Sequence, residues 1–376
     1  MNDKRIIYGL MSALAASMLS SCSQEDMQVR GLSDDDDAIL FVTDLPGVET
    51  RSDETESLDD GFYVTAFAPE DETTIGTSNK LNEYFANQLV SKTQGMGNAF
   101  RSDMCRWPAN TGTKSGTLKF YAFYPSLETL SERAGVSGNS SYFVLQNSST
   151  KTATKTTYSY SINRFKIDKD ISKHVDFVIA TVEGNKTANL YSGVSLNFEH
   201  QLSQVDLQAW GNSSTPYEVE IAGVRLGNVI TESKFDFSQT QNSKTDNTTN
   251  GKWLTTPTQT KGIVEYIYRE GDKVISVGRT KDTNTTAPNA ISIMGNGGPA
   301  IVIPGTYSKW STSAKTGFYY SVLIRVNDKE GKLLYPYIEG ANMNSSKKTD
   351  EMNVVYLSVE RTSGLVKKRV YKKDGI

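Results

Sequence analysis

The residue types best placed to do chemistry stand near the start of the chain. Leu19-Ser20-Ser21-Cys22 puts a thiol directly after two small residues. The thiolate is the nucleophile of cysteine chemistry, and small residues before it fit a signal peptidase cleft. The expected chemistry is acylation of Cys22 (palmitate-type lipidation), with cleavage between Ser21 and Cys22. Lys4 and Arg5 form a short positive segment ahead of it. Residues 6–19 are an apolar stretch of signal-peptide length, too short to span a bilayer comfortably. Each buried CH₂ of an acyl chain adds about 0.8 kcal/mol, so several chains anchor a protein stably. The alternative is an ordinary cleaved signal with an incidental cysteine.

Other chemistry is sparse. Among 376 residues there are two histidines and two cysteines. His174 and His200 each lack a second histidine nearby, and a lone histidine beside an apolar run is most often a hydrogen-bonded core residue. Cys105 has no partner once Cys22 carries lipid, so no disulfide framework is expected, and it reads as a small buried apolar residue. The run Asp34-Asp35-Asp36-Asp37 lacks the ligand spacing, glycine and distal carboxylate of a Ca²⁺ loop. Like charges in a row repel, and residues 22–37 read as an extended acidic tether. Gly295-Asn296-Gly297-Gly298 lacks the strand-to-helix setting and lysine of a phosphate cradle. Trp107, Trp210, Trp253 and Trp310 are scattered, as core fillers are, although a sugar-stacking platform uses the same residue type. Lys367-Lys368-Arg369 with Lys372-Lys373 reads as a charged edge strand. No nucleophile, base and orienting group converge; no enzyme activity, metal or cofactor is expected. Lys plus Arg is 40 and Asp plus Glu is 43, a formal net charge of -3, which gives no single-sign field to recruit nucleic acid.

The elements that would position any site are strands. Short apolar or alternating runs fall at 38–42, 62–67, 118–124, 175–182, 194–198, 205–210 and 217–226. Others follow at 264–268, 273–277, 290–294, 300–303, 318–326, 333–338 and 352–359. Each is bounded by Gly, Asn, Ser, Asp or Pro, the pattern of an all-β chain. Aromatics make up 10% of the chain and suit pleated, half-buried surfaces. Only residues 80–89 carry an i, i+3, i+4 apolar set, Leu81, Tyr84, Phe85 and Leu89, which predicts one short helix. Length and strand number predict two β-sandwich (transthyretin-like) domains in tandem, 38–190 and 191–376, after a signal peptide at 1–21 and a tether at 22–37. The boundary is placed near Glu183-Gly184-Asn185-Lys186, where the strand pattern breaks.

Two resemblances extend this reading. Ser23-Gln24-Glu25-Asp26 after the cysteine resembles the acidic surface-export tag of lipoproteins in anaerobic Gram-negative bacteria. Further on, a first strand at 38–45 precedes Glu49-Thr50-Arg51-Ser52. Then come Phe120-Tyr121-Ala122-Phe123-Tyr124-Pro125, Val175-Asp176-Phe177-Val178-Ile179-Ala180, and the stretch Phe198-Glu199-His200-Gln201-Leu202-Ser203-Gln204-Val205. In order and content these resemble the fimbrillin family, the shaft, tip and anchor subunits of type V pili. The resemblance implies an outer-membrane, surface-exposed lipoprotein that joins other pilus subunits by strand addition, with a host-surface or glycan ligand as a further partner. It implies that an arginine-specific protease cuts after the first strand, removing it and opening a groove for a neighbour's C-terminal strand. Arg51, before Ser52 in a polar stretch, is the cut this sequence offers; a cut at Arg30 would leave the first strand in place. Ile39, Phe41 and Leu45 share one row of that strand and are the expected displaced contacts. The donor is left open between 352–359, apolar in both rows, and 366–371, dominated by charge. The expected role is a structural and adhesive subunit, tip or minor; the rival is a monomeric surface glycan-binding lipoprotein.

Overall fold

The computed structural model describes residues 37–43, 58–68, 83–108, 117–139, 141–151, 156–209, 211–212, 217–237, 251–254, 259–268, 275–276, 279–280, 291–295, 298–311, 313–314, 316–328 and 333–335. Across them the chain is all-β, with helix confined to short pieces. In chain order the strands begin with β1 (Ala38–Thr43), β2 (Phe62–Phe67), β3 (Glu83–Lys92), β4 (Ala99–Arg106) and β5 (Leu118–Tyr124). There follow β6 (Leu145–Lys151), β7 (Thr156–Lys166), β8 (Val178–Gly184), β9 (Val194–Leu196), β10 (Glu199–His200), β11 (Ser203–Val205), β12 (Gln208–Ala209) and β13 (Gly211–Asn212). The last group is β14 (Tyr217–Asp236), β15 (Lys252–Leu254), β16 (Thr260–Ile267), β17 (Ile275–Ser276), β18 (Arg279–Thr280), β19 (Ile291–Ser292), β20 (Ala300–Val302), β21 (Tyr319–Asp328) and β22 (Leu333–Tyr335). Two α-helices are described, α1 (Leu127–Arg133) and α2 (Lys186–Asn189).

The first large sheet runs β10-β8-β5-β2-β3-β4-β1-β9. It curls so that β1 faces β5 across an apolar core, with the Phe41 and Phe120 rings 5.4 Å apart. The central strands are apolar on both faces because each face meets a different core. Phe62, Val64, Ala66, Phe120 and Ala122 join the core that holds β1. Phe67, Tyr121 and Phe123 point the other way, into a second core shared with β7, β14 and β16. A strand buried on both faces reads as a near-continuous apolar run, as Phe62-Tyr63-Val64-Thr65-Ala66-Phe67 does. Thr65, the polar member, is satisfied across the layers by the Tyr160 hydroxyl at 2.7 Å.

The second large sheet is built on β14. Along one side it pairs with β21 and then β7, and along the other with β17, β16 and β15, all antiparallel. The β6–β7 hairpin, which precedes residue 190, belongs to this sheet, and β9 and β10, which follow it, belong to the first.

The predicted helix at 80–89 is a correction. Residues 83–92 form β3, antiparallel to β2; residues 80–82 lie outside the described residues. Val64 pairs with Gln88 and Ala66 with Phe85, so three β3 residues span two of β2. Asn87 at the bulge has φ 47°, and its amide donates to Thr65 Oγ1 at 2.8 Å. The bulge shifts the phase of alternation, so Phe85 packs inward and Val90 is buried while Tyr84 and Leu89 are exposed. An alternation interrupted by one extra residue imitates the 3.6 period.

Candidate functional site

The first strand is not free-standing. β1 lies antiparallel to β4 (Leu40↔Arg101, Phe41↔Phe100, Val42↔Ala99) and parallel to β9 (Phe41↔Val194, Val42↔Ser195, Thr43↔Leu196). Backbone bonds close both of its ends: Trp107 N–H donates to Asp37 O at 2.7 Å, and Thr43 N–H to Asn98 O at 3.2 Å. Ile39 and Phe41 have no exposed surface, and Leu40, on the opposite row, is 1% exposed. Phe41 meets Phe62 and Phe120 edge-on, at 6.1 Å and 5.4 Å between ring centroids.

Against the opposite row lies Gly193, at the end of the 185–193 segment. Asn185 caps α2 by accepting from Ala188 N–H at 2.9 Å. Asn189 then ties the turn, its Oδ1 accepting from Asn185 N–H at 3.0 Å and its Nδ2 donating to Gly193 O at 2.9 Å. Gly193 has φ +75°, and a Cβ there would lie 2.7 Å from Val42 Cγ2 and 3.3 Å from Leu40 O. Only a glycine allows both this backbone and so close an approach. Lys186 of α2 forms an ion pair with Asp37 at the head of β1. The result is a strand buried on both faces and paired along both edges. Such an arrangement holds a strand by backbone pairing and burial together.

The predicted site residues fall unevenly. Ile39 and Phe41 share the inward row of β1 as expected, but Leu40 of the other row is buried as deeply; the continuous apolar run 38–42 carried that signal. Leu45, Ser21, Cys22, Arg51 and Ser52 lie outside the described residues, as do both candidate donor segments. The 185–193 segment had no signal beyond Gly193 itself.

The remaining candidates are structural. Cys105 is buried in the β1 core, and burial pushes its thiol up to about 12, against a Ser102 hydrogen bond that lowers it. His174 is buried between two backbone groups: Ile301 N–H donates to its Nδ1 at 3.1 Å, and its Nε2 donates to Asp168 O at 2.8 Å. His200 pairs with Asp176. Trp107 and Trp253 fill cores, and Trp310 packs on Tyr319 at 5.0 Å and 66°. Among the described residues, no group of three or more His, Cys, Asp or Glu is placed to hold a metal ion.

Comparison with known proteins bears on the chain's family. No curated protein matches the sequence. Among solved structures, the chain is similar to a fimbrial protein from Bacteroides vulgatus, with 12% identity, 86% of this chain and 89% of that one covered, and a TM-score of 0.48. It is also similar to the fimbrial anchor protein Mfa2 from Porphyromonas gingivalis, with 9% identity, 79% and 80% covered, and a TM-score of 0.25. A family model described as fimbrillin-like matches residues 50–349. A match over that much of the sequence settles membership: the chain belongs to the fimbrillin-like family.

Proposed function

We propose that this chain is a structural and adhesive subunit of a surface fimbria, in a tip or minor position, assembled by protease-triggered strand exchange. Export through the Cys22 lipid delivers it to the outer membrane. Cleavage after Arg51 then separates β1 from everything that follows. β1 leaves the slot between β4 and β9, and a strand from another subunit takes its place. The observation that carries this reading is the placement of β1, buried on both faces, paired on both edges, and followed by residues 44–57, which hold Arg51. Burying a large apolar side chain is worth about 1.5–3 kcal/mol. Ile39, Leu40 and Phe41 together make an empty slot costly, and an incoming apolar strand regains that energy while restoring the ladder bonds.

The test is intact mass and N-terminal sequencing of the protein recovered from the cell surface, with Arg51→Ala cells beside it. A start at Ser52 without lipid, lost together with polymer in Arg51→Ala cells, is expected. A lipidated start at Cys22 with residues 38–43 intact in assembled fimbriae would refute exchange.

A further inference from the structure

We propose that His174 is an acid-sensitive clasp: its neutral ring holds β20, and with it β11, against the link between β7 and β8, and protonation of the ring opens that contact. The inference goes beyond the strand-exchange reading above and does not rest on it.

The clasp stands on backbone geometry. β20 is three residues long and buried throughout. Among the described residues its ladder is with β11 alone, over Ser203↔Val302, Gln204↔Ile301 and Val205↔Ala300. The N–H of Ile301, in the middle of β20, goes to His174 Nδ1 at 3.1 Å. The ring thus does for β20 what a carbonyl of a neighbouring strand does elsewhere. His174 closes the 3₁₀ turn Ile171–Lys173, which packs against β16 and β20, and its own N–H donates to Ile171 O at 3.1 Å. The same link is fastened to β16 and β14: Glu265 N–H donates to Lys169 O at 2.8 Å, and Ile167 N–H to Thr231 O at 2.9 Å. One imidazole therefore ties a short strand to a fixed segment.

These partners leave one protonation state. Nδ1 accepts, so it carries no hydrogen, and Nε2 donates to Asp168 O at 2.8 Å. Neutral imidazole with its hydrogen on Nε2 satisfies both. A second proton would sit on Nδ1, facing the Ile301 N–H donor to donor and leaving that buried amide without an acceptor. His174 is 6% exposed, so water does not take the lost place. The carboxylates nearby are already engaged. Asp168 Oδ1 accepts from Asp170 N–H at 2.7 Å, and Oδ2 faces Lys173 Nζ at 3.8 Å. Asp170 Oδ1 accepts from Ser172 N–H at 3.0 Å, and Asp176 pairs with His200. On β16, Glu265 is bound by Lys169 and Arg225, and the other charge is the exposed Lys261. β20 brings no titratable group.

The sign follows. A histidine freed from these contacts takes its proton at about pH 6.5. Below that, the open state binds a proton that the closed state refuses, so the clasp is fully effective above about pH 6.5 and weakens as pH falls. A difference of one proton raises the opening constant up to roughly tenfold per pH unit, or about 30-fold between pH 8 and pH 5.

Hydrogen exchange in the full chain tests this, on a His200→Gln background so that His174 is the one histidine present. Protection of the peptide holding Ile301, corrected for the intrinsic pH dependence of exchange, should fall about 30-fold from pH 8 to pH 5, while peptides of β14 keep theirs. In His174→Gln the side-chain amide accepts from Ile301 and donates to Asp168 without titrating, so protection should stay flat. His174→Phe, which offers no acceptor, should lower it at both pH values. The NMR signal of the His174 Cε1–H should hold its neutral position across the range in the closed protein. Protection that falls equally in His174→Gln would overturn the clasp. So would a His174 ring signal that titrates near pH 6.5 while Ile301 stays protected, a result the parent chain gives even where His174→Gln fails to fold.

Discussion

Truncating Phe41 to alanine should remove about 3–5 kcal/mol of stability, the range for a phenylalanine fully enclosed in a core. The figure can be built from the structure. Phe41 has no exposed surface, and burial of its side chain is worth about 1.5–3 kcal/mol. Its edge-on contacts with Phe62 and Phe120 add about 0.5–1.5 kcal/mol each. Those parts sum to roughly 2.5–6 kcal/mol, which brackets the cavity range. For a unit of 150–250 residues this corresponds to roughly 6–20 °C in Tm. Urea unfolding followed by tryptophan fluorescence is a suitable assay, because Trp107 lies in the same core and reports on it directly. Val42→Ala is the internal control: Val42 is half-buried and should cost clearly less than Phe41→Ala. A Phe41→Ala loss below about 1 kcal/mol with an unchanged m value, or equal losses at 41 and 42, would refute the assignment of β1 as an integral core strand.

Three further outcomes follow from the same structure. Gly193→Val should destabilise the fold by about 1–3 kcal/mol, because it combines a positive φ with a clash against Val42; thermal melts that match the parent chain would contradict that close approach. The Cys105 thiol, pushed up to about 12 chiefly by burial, should resist alkylation at pH 8 in the native protein and react once urea unfolds it, as mass spectrometry would show; rapid native labelling would contradict its burial. Burial alone would raise the Glu265 carboxyl, but hydrogen bonds from Lys169 and Arg225 and their charges hold it below the usual carboxylate range. Its contribution is therefore full at neutral pH and lost as pH falls below about 4, so Glu265→Gln should flatten the acid limb of a stability-against-pH curve, and an unchanged limb would count against the network.

How much of this was legible in the sequence depended on what each strand faces. β2, β5 and β8 divide two cores, so their residues are apolar almost throughout, and 62–67, 118–124 and 175–182 stand out at once. β6 and the first part of β7 are rich in Gln, Asn, Ser and Thr, and their run at 145–166 looks like loop. The one short helix predicted was a bulged strand, whereas α1 was passed over because only Leu127 and Leu130 are apolar in it; its signal was the Ser126 cap, which accepts from Thr129 N–H at 2.9 Å. At the site itself, the odd row of β1 was readable as a core face. The even row was readable only from the continuous apolar run 38–42, which marks a strand covered on both faces without saying by what. The residue that meets it, Gly193, comes from a segment about 150 residues away and looks like any turn glycine.

β14 holds a different kind of consequence. It is 20 residues long, with strands laid along both of its sides, and register shifts on both sides bend it through the molecule. Among the described residues, β15, β16 and β17 pair only with β14, while β21 and β7 each add one further ladder, to β22 and β6. Opening any part of this half therefore removes support from the rest, and its amides should exchange with solvent as one block, at one free energy, in the manner of a single foldon. The half of the chain that holds β14 would then open only as a unit, whatever the strands outside it do.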